Sequence, residues 1–113
     1  MIRRANRLHL SQDIARVLRY GKSSVNSSLT LKVLANQQAQ ARFTIIISTK
    51  VSKKAVVRNK IKRWLREVIK QEMELLKSAN DLVIIVKPGI KELKDYLAVK
   101  EVVIEVLAKA KLL

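Results

Sequence analysis

The sequence predicts an α+β fold in which amphipathic helices pack on a small, mostly antiparallel sheet. Residues 50–70 place apolar and basic side chains on opposite sides of a 3.6-residue period, which is typical of a surface helix. Leu29–Leu34 alternates apolar and polar residues, as a strand with one buried face does. Leu82–Val86 is an unbroken apolar run that stops at Pro88-Gly89, which indicates a buried strand followed by a turn.

Length and composition narrow the class of protein. A chain of 113 residues, 49% hydrophobic with two Gly and one Pro, can bury one core, so we expect residues 1–113 to form a single domain with 1–10 as a flexible basic arm. No apolar run approaches the roughly 20 residues of a membrane span, and no secretory signal is evident, so we expect a cytoplasmic protein. The absence of cysteine and the single histidine argue against a transition-metal site.

The positive charge is concentrated in the first two thirds of the chain. The net charge is +15, of which residues 1–49 carry +7 and residues 50–70 carry +8, while acids and bases balance over residues 71–113. A charge of this size indicates a polyanionic partner. We expect that partner to meet the first 70 residues and the last third to be mainly structural.

The first helix is predicted from Ser11, as N-cap, to about Tyr20, with Gly21 ending it as the residue after the C-cap. Its apolar stripe consists of Ile14, Val17 and Leu18. The polar residues 23–28 fit a turn or a short edge strand. The predicted order of elements is therefore α-β-β(-β)-α-β-α.

Two strands follow the first helix. Leu29–Leu34 is expected to pair as an antiparallel hairpin with Arg42–Ile47, which reads as a central strand because of its consecutive isoleucines. The basic helix is predicted from about Lys54 to Leu76, ended by residues 78–80. After the strand Leu82–Val86, a last helix is predicted over Lys91–Ala110, and its apolar positions include Leu93, Leu97, Val103 and Leu107.

The sequence contains no signature of a protein-borne active site. It has no Gly-rich phosphate loop, no paired-histidine metal motif and no nucleophile elbow. Asp13 and Asp81 are far apart in sequence, and each fits a capping or turn role. We therefore assign no catalytic residue.

The basic helix carries the strongest functional signal. Residues 50–70 hold nine Lys or Arg against one acid, Glu67, whereas an ordinary solvated face mixes both signs. Lysine and arginine neutralise phosphates and release counterions, which gives affinity for nucleic acid. Asn59 adds a donor and an acceptor that could reach a sugar or a base edge.

Residues Ala55–Glu67 resemble the Arg-Asn-Arg signature helix of the protein subunit of bacterial ribonuclease P, whose pattern is roughly R-N-R-[IL]-K-R-x-x-R-E. The sequence departs from it at Lys60, where the family has Arg. Asn6-Arg7-Leu8, Ser48-Thr49-Lys50 and Lys87-Pro88-Gly89 also stand at spacings similar to those of the family. The resemblance covers essentially the whole chain.

The resemblance implies an α/β sandwich with a central sheet and with the basic helix on a left-handed β-α-β crossover, where the general rule favours a right-handed one. It implies that the protein binds the catalytic RNA of ribonuclease P and the 5′ leader of precursor tRNA, one protein per RNA, and so promotes endonucleolytic removal of the leader. The RNA subunit and its Mg²⁺ ions would perform the hydrolysis. The protein itself would bind no cofactor, metal or membrane.

The resemblance also implies two sets of site residues. The RNA-contacting set is Arg58, Asn59, Lys60, Lys62, Arg63 and Arg66, to which we add Lys50, Lys53 and Lys54. The positions that match the family's leader cleft, partly aromatic in relatives, are Ile14, Leu18 and Lys32. Aliphatic contact and a phosphate contact from Lys32 would replace stacking there; the alternative for Ile14 and Leu18 is ordinary core packing. Trp64 is expected at the edge of the core.

Three other functions are alternatives to this one. The first alternative is a general RNA-binding or ribosomal protein with no part in cleavage. A DNA-binding helix-turn-helix would need a short helix before the basic helix, but an isoleucine-rich strand precedes it. An autonomous nuclease is disfavoured because no carboxylates or histidines cluster in the sequence.

Overall fold

The computed structural model of the chain describes residues 7–36, 40–73 and 79–110. Four strands and three α-helices confirm the predicted α+β fold and its order, including the short strand before Leu29. In chain order the elements are α1 (Ser11–Tyr20), β1 (Lys22–Val25), β2 (Leu29–Ala35), β3 (Arg42–Ile46), α2 (Ala55–Met73), β4 (Asn80–Val86), a 3-10 helix (Pro88–Glu92) and α3 (Tyr96–Lys109).

The four strands form one sheet in the order β1-β2-β4-β3. β1 and β4 both run antiparallel to β2, and β3 runs parallel to β4, so the sheet is mostly antiparallel as predicted. The predicted hairpin between β2 and β3 is wrong, and β3 is not central, because β4 lies between them. The inner position suits β4 because six of its seven residues are buried, so it needs a neighbour on each side.

The outer edge of β3 is covered by residues that precede α1. The backbone N–H of Leu8 donates to the carbonyl of Phe43 at 2.9 Å, and Arg7 bridges to the same residue. The Leu8 side chain is buried. Arg7 and Leu8 of the predicted arm are therefore docked on the sheet rather than loose, while residues 1–6 lie outside the described part of the chain.

The sheet separates two apolar clusters. The larger one joins one face of β2, β3 and β4 to α2 and α3, and includes Leu31, Leu65, Leu82 and Val103. The smaller one joins the opposite face to α1 through Leu8, Val17 and Val83, with Ile14 packed against them. The molecule is thus a sandwich of α1, the sheet, and α2 with α3. No helix in the described ranges is long and apolar enough to cross a bilayer.

The ends of α1 differ from the prediction. Ser11 is the first helical residue, and the N-cap position is Leu10, whose side chain caps nothing. Gly21 ends the helix as predicted, but with an extended backbone (φ −70°, ψ 151°) instead of the left-handed one usual after a C-cap. Glycine is required there by a close approach, because a Cβ would lie 2.5 Å from the carbonyl oxygen of Val17.

The other two helices begin later than predicted. α2 begins at Ala55 and is described to Met73, and the predicted end at residues 76–78 lies outside the described ranges. α3 begins at Tyr96, not Lys91, because Pro88 starts a separate 3-10 helix and the Asp95 side chain caps α3 by accepting from the Ala98 N–H at 2.9 Å. Leu93 therefore lies before α3 and Leu97 is exposed, whereas Val103 and Leu107 are buried as predicted.

The turn at Gly89 packs tightly on the loop between β1 and β2. A Cβ on Gly89 would lie 2.3 Å from the carbonyl oxygen of Ser27. That loop is fixed from the same side, since the backbone N–H of Lys87 donates to the Ser28 carbonyl at 2.9 Å and its ammonium donates to the Asn26 carbonyl at 2.8 Å. The added methyl group therefore cannot be accommodated unless one backbone moves.

We expect Gly89→Ala to lower the free energy of unfolding by about 1–3 kcal/mol, the usual cost of overpacking a filled site. The measurement is urea unfolding followed by circular dichroism. Lys91→Ala, an exposed position in the same 3-10 helix, is the matched control and should change little. Equal stabilities of the two variants would show that the close approach at Gly89 costs nothing.

Candidate nucleic-acid interface

The two faces of α2 lie as the sequence predicts. Ile61, Leu65 and Val68 are buried in the larger cluster, and Val57 and Trp64 are half-buried against it. The opposite face projects away from the sheet. Its exposed members are Asn59, Lys60, Arg63, Arg66 and Lys70, while Lys62 and Arg58 are half-buried at its border.

The cations of α2 are not neutralised within the described ranges. The ion pairs found there involve Arg42 and Lys109, neither of which belongs to α2. The exposed face therefore presents a row of positive charges for which the described residues supply no carboxylate partner. Such a row can bind phosphates and release their counterions.

Arg58, at the border of the basic face, also has a structural role. Its guanidinium donates to the carbonyl of Ser52 at 2.8 Å. That bond holds the segment 48–54, in which the Val51 side chain is buried. Within the segment, the side-chain oxygens of Ser48 and Ser52 each accept a hydrogen bond from the backbone N–H two residues later. No sequence pattern indicates this structural role, because a side-chain hydrogen bond to a loop carbonyl has no periodicity.

The same segment brings the other predicted cations to α2. Lys50, Lys53 and Lys54 are exposed and precede the first turn of the helix directly. Their charges extend the basic face beyond the helix N-terminus. The nine predicted RNA-contacting residues therefore all lie on α2 or on the segment directly before it.

Lys60 and Trp64 form a contact of their own on this surface. The Lys60 ammonium lies 4.8 Å from the centroid of the Trp64 ring, within the range of a cation–π interaction. The Trp64 side chain packs partly against the larger cluster, at the edge of the core as predicted. The Trp64 ring therefore packs on the core and also contacts Lys60.

The three predicted cleft residues lie on the other side of the sheet, with α1. Ile14 is half-buried and packs against the smaller cluster, so its role there is packing. Leu18 is 37% exposed at the surface of α1. Lys32 points from β2 to the same face as Leu34, which packs against that cluster, because side chains two apart on a strand share a face. Leu18 is thus exposed and Lys32 half-buried, both on the α1 side of the sheet.

A polar clamp, formed by Asp13, Arg42, Asp81 and Asn36, fixes α1 to the sheet. Arg42 donates from Nε and from one terminal nitrogen to the two carboxylate oxygens of Asp81, at 2.8 and 2.7 Å, and its other terminal nitrogen lies 3.5 Å from Asp13. Asn36 donates to Asp81 at 2.8 Å. The hydrogen bonds that Arg42 donates to Asp81 raise the pKa of Arg42 above its ordinary value, so the guanidinium stays charged.

The clamp corrects the separate roles expected for Asp13 and Asp81. These carboxylates come together in the fold, but both are engaged by Arg42. Over the described ranges, no group of three or more His, Asp or Glu side chains is placed to hold a metal ion. The chemistry available on the surface is binding through charge and hydrogen bonds.

Comparison with known proteins identifies the family. The family model described as Ribonuclease P matches residues 2–111. A ribonuclease P protein component from Pseudanabaena is 37% identical over 100% of this chain and 97% of its own, and one from Synechocystis is 46% identical over 73% of this chain and 67% of its own. Among solved structures, the Staphylococcus aureus RNase P protein superposes with a TM-score of 0.86 at 29% identity, covering 95% of this chain and 96% of that one. The Thermotoga maritima protein superposes with a TM-score of 0.79, also at 29% identity, covering 89% and 94%.

Proposed function

The chain belongs to the ribonuclease P protein family, and we propose that it binds the catalytic RNA of ribonuclease P and the 5′ leader of precursor tRNA. In this role it promotes the endonucleolytic cut that removes the leader and leaves the mature 5′ end of the tRNA. We place this activity in the cytoplasm, with one protein for each RNA subunit.

The observation that carries the proposal is the basic surface along α2. Its cations are exposed except for Arg58 and Lys62, which are half-buried, and none has a carboxylate partner in the described part of the chain, so they remain available to phosphates. Asn59 lies among them, exposed, with a donor and an acceptor for a sugar or base edge. We assign this surface to the catalytic RNA.

The sandwich has two sides that can bind different RNA segments. α2 packs on one face of the sheet and α1 on the other, so an RNA bound along α2 leaves the α1 side free for a second strand. We assign the leader to the α1 side, with Leu18 in apolar contact and Lys32 on a phosphate. Hydrolysis belongs to the RNA subunit, which uses Mg²⁺; the residues of this chain supply charge and position the substrate.

A competition experiment tests the RNA assignment. Ribonuclease P RNA and an unrelated structured RNA of the same length compete for the labelled protein at physiological salt. We expect the ribonuclease P RNA to be preferred, because Asn59 and the arrangement of cations fit one surface and not phosphate in general. Equal affinities would favour a general RNA-binding protein instead.

Leu18→Phe tests the leader assignment. Leu18 is the accessible apolar position of the cleft, whereas a larger residue at Ile14 would disturb the smaller cluster. Stacking of one base on an aromatic ring is worth roughly 1–3 kcal/mol, so we expect tighter binding of precursor tRNA by the assembled ribonucleoprotein. Mature tRNA should bind as before. Leu97→Phe, an exposed position on α3, is the control, and an equal gain for mature and precursor tRNA would contradict the cleft.

A further inference from the structure

Tyr20 is the one aromatic side chain of the protein that is free to stack on a ligand. The sequence has four aromatic residues. Phe43 is buried, Trp64 packs on the core, and Tyr96 is half-buried with its hydroxyl 3.2 Å from the Gln71 side-chain oxygen. Tyr20, at the end of α1, is 64% exposed.

The surroundings of Tyr20 are cationic. The Arg19 guanidinium lies 5.3 Å from the centroid of the Tyr20 ring, in a cation–π contact that orders both side chains. Arg16 and Lys22 are also exposed nearby in sequence, and none of these three cations forms an ion pair in the ranges that the structure describes. An aromatic face beside unpaired cations is the arrangement with which proteins hold single-stranded nucleic acid.

Tyr20 lies outside the cleft described above. Successive helical residues are about 100° apart, so Tyr20 stands about 200° from Leu18 around α1. Leu18 faces the cleft, and Tyr20 therefore faces the opposite flank of the same helix. It is also separated by the sheet from the basic surface of α2, so an RNA that reaches both Leu18 and Tyr20 must be the one on the α1 side.

We infer that Tyr20, with Arg19, forms a second leader subsite. An unpaired base of the leader, further from the cleavage site than the nucleotides in the cleft, stacks on the Tyr20 ring, and Arg19 and Arg16 contact the adjoining phosphates. Every base has a π-face, so this subsite accepts any leader sequence. The inference rests on the proposed function, since it requires that the leader lies on the α1 side.

The test measures the affinity of precursor tRNA for the assembled ribonucleoprotein while the leader is lengthened one nucleotide at a time. We expect Tyr20→Ala to weaken binding about five- to a hundredfold once the leader extends past the cleft, the range that one stacked base spans. Precursors with shorter leaders and mature tRNA should be unaffected. Tyr20→Phe should bind as the wild type does, and Tyr20→Leu should lose affinity as the alanine variant does, because it keeps apolar bulk but has no π-face.

Leu97→Ala is the matched control, since Leu97 is 67% exposed but lies on α3, on the far side of the sheet. Equal affinities of Tyr20→Ala and Leu97→Ala at every leader length would overturn the subsite. So would an equal loss for precursor and mature tRNA. If the wild type still gains affinity as the leader grows, the proposed function stands and only the inference fails; if the wild type shows no leader dependence, both fail.

Discussion

Replacement of Arg63 and Arg66 by glutamate is expected to weaken binding of the ribonuclease P RNA by at least about a hundredfold at physiological salt. Both side chains are exposed on the basic face of α2 and have no carboxylate partner in the described part of the chain. Reversal of charge removes two phosphate contacts and places two carboxylates against the RNA. The magnitude of the slope of log affinity against log salt should fall by about 1.4–1.8, since each of the two lost phosphate contacts contributes roughly 0.7–0.9.

Filter-binding titrations over a range of salt concentrations measure both quantities. Lys91→Glu/Lys94→Glu is the matched control, because it makes the same change in net charge at exposed positions outside α2. Its loss of affinity should be small, since long-range repulsion between solvated charges is screened. An equal loss in the two double variants would mean that total charge, and not the surface of α2, determines RNA binding.

Asp81→Ala is expected to lower the free energy of unfolding by about 3–5 kcal/mol, the cost of breaking a buried ion pair from one side. The buried Asp81 carboxylate accepts two bonds from Arg42 and one from Asn36. Its removal leaves the largely buried Arg42 guanidinium with only Asp13, 3.5 Å away. Urea unfolding measures the loss.

A double-mutant cycle provides the control. Arg42→Met/Asp81→Leu removes both partners and leaves no charge stranded, so it should cost less than Asp81→Ala alone. The coupling between the two side chains is the cost of the double variant minus the summed costs of Arg42→Met and Asp81→Leu alone. A double variant as unstable as that sum would show that the two clamp residues act independently.

The faces of α2 were predictable from the sequence because helical periodicity is local information. Val57, Ile61 and Leu65 repeat at helical spacing, and the structure buries that side. The sheet order was not predictable in this way. The hydrophobic pattern shows that β2, β3 and β4 are strands. It does not show that β4 lies between β2 and β3. Pairing is a contact between distant segments and depends on the whole fold.

The clamp at α1 and the bond from Arg58 at α2 were not predicted, because each also depends on contacts between separate segments. Asp13, Arg42 and Asp81 come from three separate elements, and only the packing of α1 on the sheet brings them together. The bond from Arg58 to the Ser52 carbonyl depends on the path of a loop. The sequence pattern does not identify Tyr20 as a site residue, because it falls outside the apolar stripe of α1. Its exposed ring makes Tyr20 a candidate site, but a hydrophobic pattern identifies buried residues and not exposed ones.

Cleavage of precursor tRNA by a ribonuclease P RNA at limiting Mg²⁺, with and without this protein, tests the central claim most directly. We predict that the protein restores cleavage at the correct 5′ position, that the protein alone cleaves nothing, and that the Arg63→Glu/Arg66→Glu variant fails to restore it. If cleavage is unchanged although the protein binds the RNA tightly, the protein is a general RNA-binding protein and its assignment to leader removal is contradicted.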